Sequence, residues 1–221
     1  MTTPIIFYFG SGSPYAWKVW LALEHKKLLY EARRMSFDGG DLKTPAFAAV
    51  NPRKKVPALV DDGFAMYESG AMLEYLEDRY PESGEPLWPR DVLARAIARR
   101  RAAEVVAYVD PINDRIFSEV FGPAGKLPNP ENIAEGKKML TAELGRIEGW
   151  IENDFLAGEK LSGADFTLYP YLAFLGRVDV KKPGHNLKAL LPAKVAPLAG
   201  QIPPGLATSK SPTPEQRLTV H

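Results

Sequence analysis

The sequence predicts an α/β domain followed by an all-helical domain. In residues 1–80, short apolar runs of strand length alternate with helical segments in the order βαβ, then a β-hairpin, then a helix. Residues 81–90, PESGEPLWPR, combine three prolines with a glycine, a pattern typical of a linker. Beyond this break, helical spacing dominates residues 91–200. The periodicity fades toward the end, and we expect 201–221 to form an irregular tail.

The composition narrows the range of functions. Hydrophobic residues make up 45% of the 221 residues, and the net charge of +1 gives no reason to expect nucleic acid or a membrane surface as a partner. We expect a cytoplasmic protein, because no apolar run is long enough for a bilayer span and no basic-then-apolar leader opens the chain. Cysteine is absent, which excludes disulfides and thiol redox chemistry by the protein itself. The three histidines do not cluster, so we expect no metal.

The first strand, loop and helix are the most informative stretch. The apolar run at 5–9 breaks at Gly10, and after Ser11-Gly12-Ser13 an amphipathic segment begins. Ser13 is expected to cap this helix with its side-chain oxygen, and Pro14 suits the first helical position because a missing N–H costs nothing there. A hydroxyl delivered to a helix N-terminus favours binding of a negatively charged atom.

The rest of the first domain follows from short local signals. Asp62-Gly63 is a typical two-residue hairpin turn, and Ser69 is predicted to cap the helix that follows the hairpin. The predicted elements are a strand at 30–36, a short helix around Phe47, strands at 57–62 and 64–68, and a helix at 70–80.

The second domain is predicted to contain three main helices. The first covers 91–120, with a kink at Pro111. The second covers 131–156. The third begins near Gly163, where Ser162 and Asp165 have the spacing of a capping box with Asp in place of Glu.

Ser13-Pro14-Tyr15-Ala16 resembles the C-P-Y-C active site of glutaredoxins with both cysteines replaced. Such a scaffold keeps a thiol-binding geometry but cannot exchange disulfides. A serine hydroxyl at this position can donate to the thiolate of a bound ligand and lower a thiol pKa that is ordinarily about 8.5. The structural alternative is that Ser13 only caps the helix.

Two further motifs suit a peptide ligand. In NPRKKVPALVDD, Pro57 opens a strand, and a cis Val56–Pro57 bond would present the Val56 backbone to a peptide. Lys54 and Lys55 precede it and are candidates to meet a carboxylate, although an exposed basic turn is the alternative.

Tyr67-Glu68-Ser69 forms the second of these motifs. It gathers a carboxylate, a hydroxyl and free backbone N–H groups at a helix start, which suits a zwitterion. A simple helix cap is the alternative here too.

Taken together, residues 4–177 resemble the cytosolic glutathione S-transferases, and NPRKKVPAL, YES and LSGADFTLYPYL carry the resemblance. The resemblance implies a thioredoxin-like N-terminal domain (βαβ-ββα) followed by an all-α helical bundle. It also implies that Val56, with Pro57 cis, binds the cysteinyl backbone of glutathione. Glu68 and Ser69 would bind the γ-glutamyl group. The lysine that the family has next to its Val-Pro pair corresponds to Lys55.

The closest classes in this resemblance are theta-like and zeta-like enzymes, in which a serine activates the thiol. That serine falls on Ser13, with Ser11 as the nearest competitor and Tyr8 as a third candidate. At the position where some relatives bind the glycine carboxylate, this chain has Leu42, and the adjacent Lys43 is a weaker candidate.

The resemblance implies a homodimeric detoxification enzyme with glutathione as co-substrate and no metal. Its second substrate would be a hydrophobic electrophilic small molecule held by the helical domain near Tyr108, Asn113 and Phe117, although core packing is an alternative role for these three. A glutathione-dependent isomerase or dehalogenase, and a non-catalytic glutathione- or ligand-binding protein, remain open alternatives.

Overall fold

Four strands of the N-terminal unit form one mixed sheet. The structure, a computed structural model, describes residues 3–123 and 127–201, and its chain divides into two units between Leu87 and Trp88. Most of the predicted tail at 201–221 lies outside the described residues. The strands are β1 (Ile5–Gly10), β2 (Tyr30–Met35), β3 (Ala58–Asp61) and β4 (Phe64–Tyr67), in the spatial order β2-β1-β3-β4.

The pairing pattern confirms the predicted βαβ unit and hairpin. β1 and β2 are parallel, whereas β3 is antiparallel to both β1 and β4. The β3–β4 turn consists of Asp62 and Gly63, with φ angles of 47° and 82°, as a two-residue hairpin of this type requires.

Helices cover both faces of this sheet because alternate residues of β1 are apolar on both sides. Phe7 and Phe9 contact Trp20 of α1 (Pro14–His25). Tyr8 points the other way and contacts Phe47 of α2 (Pro45–Val50). The third helix, α3 (Ser69–Arg79), packs with α1.

The strand register brings three chain segments to one edge of the sheet. Tyr8 lies opposite Ala58, which in turn lies opposite Tyr67. The end of β1, the start of β3 and the end of β4 therefore meet at the same edge. The predicted site motifs all adjoin this edge, since each immediately follows or precedes one of these strand ends.

The segment that follows α3 packs back onto α1. Gly84 lies so close to the backbone of His25 and Lys26 that an added Cβ would sit 2.5 Å from the His25 carbonyl oxygen. Lys26 is fully buried and pairs with Glu77 at 2.8 Å, and the same carboxylate oxygen accepts from the Leu87 N–H at 2.9 Å. These contacts hold residues 84–87 against the first unit.

The C-terminal unit is helical, as predicted. Its buried core contains apolar side chains from the segment at 105–109 and from the three long helices that follow it, including Val105, Ile116, Leu144 and Leu172. The helices are α4 (Val92–Glu104), α5 (Asp110–Val120), α6 (Pro130–Glu148), α7 (Gly163–Lys181) and the short α8 (Leu198–Gln201).

Two details of this unit differ from the sequence expectation. The irregularity near Pro111 includes a π-helical segment, Val105–Val109, between α4 and α5, so a wider turn precedes the residue that lacks an N–H. The helix predicted at 131–156 ends at Glu148, and Gly149 follows as its C-cap residue. Residues 150–156 then run through turns in which Ile151 and Leu156 remain buried, which explains why their apolar pattern resembled a longer helix.

Within the described ranges 3–123 and 127–201, no helix is both long enough and apolar enough to traverse a bilayer.

Candidate functional site

Ser13 lies where the sequence predicts it, at the N-cap of α1. Its Oγ accepts from the Ala16 N–H at 3.2 Å, and its own N–H donates to the Gly10 carbonyl at 3.2 Å. The side chain is partly exposed, and no residue in the described part of the chain accepts its hydroxyl hydrogen. The hydroxyl is therefore positioned to donate to a ligand at the positive end of the helix dipole.

Ser11 occupies the same loop in a different setting. It is exposed, and it precedes Gly12, whose φ of 89° lies in the left-handed region and turns the chain toward α1. Ser11 is two residues away from the helix cap, so its hydroxyl lacks the helix-terminal position of Ser13.

Tyr8 lies on the sheet face opposite α1. Its hydroxyl accepts from Arg33 Nη1 at 3.2 Å, and the Arg33 guanidinium lies 5.7 Å from the centre of its ring. Arg33 is itself paired with Glu31 at 2.7 Å, and this hydrogen bond is the main cause of its raised pKa. The hydroxyl of Tyr8 is thus already bonded to a cation on this face.

The Val56–Pro57 peptide bond is cis, and it leads directly into β3. Val56 is buried with Phe47 and Ala58 in a small cluster beneath α2. The turn before it is built by Asn51, a residue that sequence patterns did not single out. The side chain of Asn51 donates to the Lys55 carbonyl at 2.6 Å and accepts from the Arg53 N–H at 3.0 Å.

Lys55 is exposed on this turn, as is Lys54, whose φ is 56°. A left-handed conformation at a residue other than glycine costs free energy, and it persists here because the Asn51 carbonyl accepts from the Lys54 N–H at 2.9 Å. The two ammonium groups therefore extend from a turn with a fixed backbone.

The prediction that Ser69 caps α3 is wrong by one residue. Glu68 occupies the N-cap position, with φ of 72° and no side-chain cap bond, and Ser69 is the first, buried residue of the helix. The reason is the left-handed backbone at Glu68, which turns β4 sharply into α3. Arg53, which sequence reasoning missed, places its Nε 3.7 Å from Glu68 Oε1, with both side chains exposed.

Lys43 is exposed at the end of a short 3₁₀ turn, Asp41–Lys43, while its neighbour Leu42 packs on the cluster around Phe47. In the same loop, Phe37 is a second residue that sequence reasoning missed. Its ring touches Gly10, the last residue of β1, and the only available signal was an unexplained apolar residue between a strand and two glycines.

The structure gives the three predicted second-substrate residues different surroundings. Tyr108 is exposed and Asn113 is buried. Phe117 is 41% exposed, and its ring is tilted against that of Phe174 with the ring centres 5.3 Å apart. Among the described residues, no group of three or more potential metal ligands comes together. What the site does gather is a helix-terminal hydroxyl, a cis Val-Pro edge, a carboxylate at a second helix start and several exposed cations.

Comparisons with known proteins match both parts of the chain to one family. The family described as "Glutathione S-transferase, N-terminal domain" matches residues 7–84, and "Glutathione S-transferase, C-terminal domain" matches residues 102–192. The chain is 29% identical to glutathione S-transferase A of Pleuronectes platessa over 185 residues, 80% of each chain. It is 31% identical to maleylacetoacetate isomerase of Dictyostelium discoideum over 169 residues, 74% of this chain and 75% of the relative.

The fold has solved counterparts. One is a glutathione transferase homolog from Lodderomyces elongisporus, solved with two glutathione molecules per subunit. It superposes with a TM-score of 0.75 at 22% identity, and the match covers 93% of this chain and 96% of that one. Both halves of the chain thus match the same family, and the fold agrees over 93% of the chain: the protein belongs to the glutathione S-transferase family.

Proposed function

We propose that this protein is a serine-type glutathione transferase in which Ser13 activates the thiol of bound glutathione for attack on an electrophilic small molecule. The observation that carries the proposal is the position of the Ser13 hydroxyl. It caps α1 at the same sheet edge as the cis Val56–Pro57 bond and the Glu68–Ser69 helix start.

Each part of glutathione has a complementary group at this edge. The Val56 backbone pairs with the cysteinyl residue in antiparallel fashion, as strands do when a peptide extends a sheet. Glu68 meets the γ-glutamyl ammonium, while Ser69 and the N-terminus of α3 meet the γ-glutamyl carboxylate. Lys55 and, more weakly, Lys43 meet the glycine carboxylate.

The Ser13 hydroxyl donates a hydrogen bond to the sulfur atom of glutathione. A thiolate at the N-terminus of α1 gains from the helix dipole and accepts the Ser13 hydroxyl hydrogen, and both effects favour the charged form. The ordinary thiol pKa of about 8.5 then falls toward neutrality. We favour Ser13 over Tyr8 because Tyr8 lies on the sheet face opposite α1 and is not at the helix N-terminus, and over Ser11 because Ser11 is not at the helix cap.

The test is the pKa of the bound thiol, measured by thiolate absorbance in the glutathione complex. We expect Ser13→Ala to raise this pKa by about 1 unit or more, because the hydrogen bond to the charged form is lost. Ser11→Ala is the matched control and should leave the titration unchanged. A raised pKa in Ser11→Ala with a normal one in Ser13→Ala would transfer the role to Ser11.

The finer assignments complete the proposal. Residues 1–80 form the glutathione-binding domain, 81–90 the linker and 91–200 the helical domain, with a tail at 201–221. The enzyme is of the theta-like or zeta-like class, acts as a homodimer in the cytoplasm and serves detoxification. Light scattering of the purified protein tests the dimer, and cell fractionation tests the location.

A glutathione-dependent isomerase is a second candidate, because one relative at 31% identity is named maleylacetoacetate isomerase. The two activities differ in the fate of glutathione, which a transferase consumes and an isomerase returns unchanged. Counting free thiol against product formed separates them. A dehalogenase also uses the same residues and is detected by halide release, whereas a non-catalytic protein would bind glutathione without turning over any substrate.

A further inference from the structure

A cavity of about 540 Å³ opens in the N-terminal unit, at the opposite edge of the sheet from Ser13. Ile5, the first residue of β1, and Asp61, the last residue of β3, both line it. Ser13 lies beyond the other end of β1, so the length of that strand, about 17 Å, separates the cavity from the candidate thiol site. The volume lies in the range of small-molecule sites, and no residue proposed to bind glutathione lines the cavity.

Asp61 is the buried charged group of this cavity, with an exposed fraction of 4%. Its Oδ2 accepts from the Tyr75 hydroxyl at 2.7 Å and from the Tyr80 hydroxyl at 2.6 Å. Burial, and then the hydrogen bond to Asp61, raise the pKa of Tyr75 to about 12, so this phenol stays a donor at neutral pH. Within residues 3–123 and 127–201, no group donates to Asp61 Oδ1 and no cation pairs with the carboxylate. Because buried charges in proteins are ordinarily paired, Asp61 is suited to receive a cation from a ligand.

Two cations, Lys27 and Arg79, line the same cavity, and both side chains are exposed. Lys27 lies just after α1 with a φ of 52°, and the Arg79 guanidinium lies 5.8 Å from the centre of the Tyr80 ring. In the described structure, neither cation forms an ion pair with Asp61 or with the neighbouring Asp62. The cavity therefore brings together positive and negative groups that do not neutralise each other.

The remaining wall of the cavity is apolar and includes Ile5, Leu28 and Leu29. The backbone of this wall is fixed, since the Ile5 N–H donates to the Leu29 carbonyl and the Leu28 N–H donates to the Leu23 carbonyl, each at 3.0 Å. The Leu29 side chain is nevertheless 45% exposed. An apolar group that covers it would remove this surface from water, which is favourable.

We propose that this cavity is a binding site for a free α-amino acid with an apolar side chain. The ammonium group of the ligand meets Asp61, its carboxylate meets Lys27 and Arg79, and its side chain covers Leu29. A ligand with a single charge would leave one set of these groups without a partner. The inference goes beyond the proposed function, because the site is separate from the glutathione edge and takes a different ligand.

Three probes with the same carbon skeleton test the need for both charges, by isothermal titration calorimetry on the full chain. L-leucine has both charges, L-leucinamide lacks the carboxylate, and 4-methylpentanoate lacks the ammonium group. We expect L-leucine to bind with a Kd of about 1 mM or lower. Each of the other two should bind about 10-fold more weakly or worse, because a charge-assisted hydrogen bond is lost. No binding of L-leucine, or equal binding of either analogue, would overturn the proposal.

Two variants test the assigned residues. Asp61→Asn keeps the shape of the side chain but removes its charge, and it should weaken L-leucine binding about 10-fold. Lys27→Gln should weaken it about 3-fold, since Lys27 is exposed. Lys138→Gln is the matched control, because it removes the same charge from an exposed position on α6 and should leave the Kd unchanged.

The folding of Asp61→Asn is checked by urea unfolding, because Asp61 is buried. If this variant does not fold, Lys27→Gln and the three probes decide. An unchanged Kd in Lys27→Gln, or in folded Asp61→Asn, would overturn the proposal.

The glutathione edge is the competing location for L-leucine, because the γ-glutamyl group proposed to meet Glu68 and Ser69 is itself an α-amino acid. Saturating S-methylglutathione should change the Kd of L-leucine by no more than about 2-fold, since the two sites share no residue. Displacement of L-leucine would place it at the glutathione edge, which overturns this inference and leaves the proposed function intact. Binding of L-leucine by a chain that binds no glutathione would give the reverse result.

Discussion

Among the residues that the structure describes, two helices begin with a serine cap, and they differ in the acceptor available to the hydroxyl hydrogen. At α7, Ser162 is 2% exposed, its Oγ accepts from the Ala164 N–H at 3.3 Å, and its hydroxyl donates to Asp165 Oδ2 at 2.9 Å. At α1, Ser13 also accepts one backbone N–H, but within the described residues its hydrogen has no internal acceptor.

The surroundings of the two caps differ in the same sense. The α7 start is closed by Trp88, whose indole ring lies against Gly163, and Asp165 additionally accepts from the Ser162 N–H at 2.9 Å and the Leu156 N–H at 2.8 Å. The α1 start follows the exposed Ser11-Gly12 turn. A serine cap therefore stabilises a helix in both units, and the one whose donor stays available is suited to hold a ligand.

The largest expected effect comes from breaking the closed cap at Asp165. Asp165→Ala removes the acceptor of three buried hydrogen bonds and should lower the free energy of unfolding by about 3 kcal/mol. Asp165→Asn, which keeps the shape and one acceptor oxygen, should lose less. Urea unfolding measures both, and a loss under about 1 kcal/mol in Asp165→Ala would contradict a structural role for this cap.

The local sequence predicted both serine caps, but it did not indicate which of the two hydroxyl groups is exposed. Three predicted features depend only on residues that are close in sequence, and the sequence pattern therefore indicated them. They are the cap of α1, the Asp62-Gly63 hairpin and the capping box at Ser162. The left-handed backbone of Glu68 and the end of α6 at Glu148 depend on tertiary packing.

The parts of the site that sequence reasoning missed have the same explanation. Phe37 meets Gly10 and Arg53 meets Glu68 only after the sheet has formed. No pattern in the neighbouring sequence indicates either contact, because the partners are far apart along the chain.

A second, smaller effect is expected at Gly163. A methyl group there would lie 2.4 Å from Trp88 Cη2 and within 2.7 Å of two further ring atoms, and the buried indole has little room to move. Gly163→Ala should therefore cost about 2 kcal/mol through overpacking. Gly176→Ala on the same helix is the control, because nothing lies within 4 Å of the new methyl. It should stabilise the helix by about 0.5 kcal/mol, and equal effects at both sites would mean that Trp88 does not close this cap.

Substitution of Ser13 and substitution of Ser162 should have opposite effects on stability and on the thiol pKa. Ser13→Ala should lower the free energy of unfolding by only about 1 kcal/mol, since it removes one partly buried hydrogen bond, from the Ala16 N–H to the Ser13 hydroxyl. The same variant should raise the pKa of bound glutathione. Ser162→Ala should show the reverse combination, with a larger loss of stability and an unchanged thiol pKa. A thiol pKa that shifts in neither variant would remove the functional distinction between the two serines.

The smallest expected effect concerns the C-terminal end of α1. Residues 84–87 pack on this end, whereas the N-terminal cap at Ser13 is partly exposed. His25 Nε2 lies 3.3 Å from the Pro86 carbonyl, and burial is the main cause that lowers the pKa of His25 below its ordinary 6.5, with the nearby Lys26 acting in the same direction. The native state therefore favours the neutral imidazole, and the unfolded chain binds the proton more readily. The resulting stability is fully present above pH 6.5 and is lost as the pH falls from there through the folded-state pKa. Unfolding measured at pH 7 and pH 5 should give a larger decrease for wild-type protein than for His25→Asn, which does not titrate. Equal decreases in the free energy of unfolding would mean that the packing of residues 84–87 on α1 does not depend on the neutral imidazole.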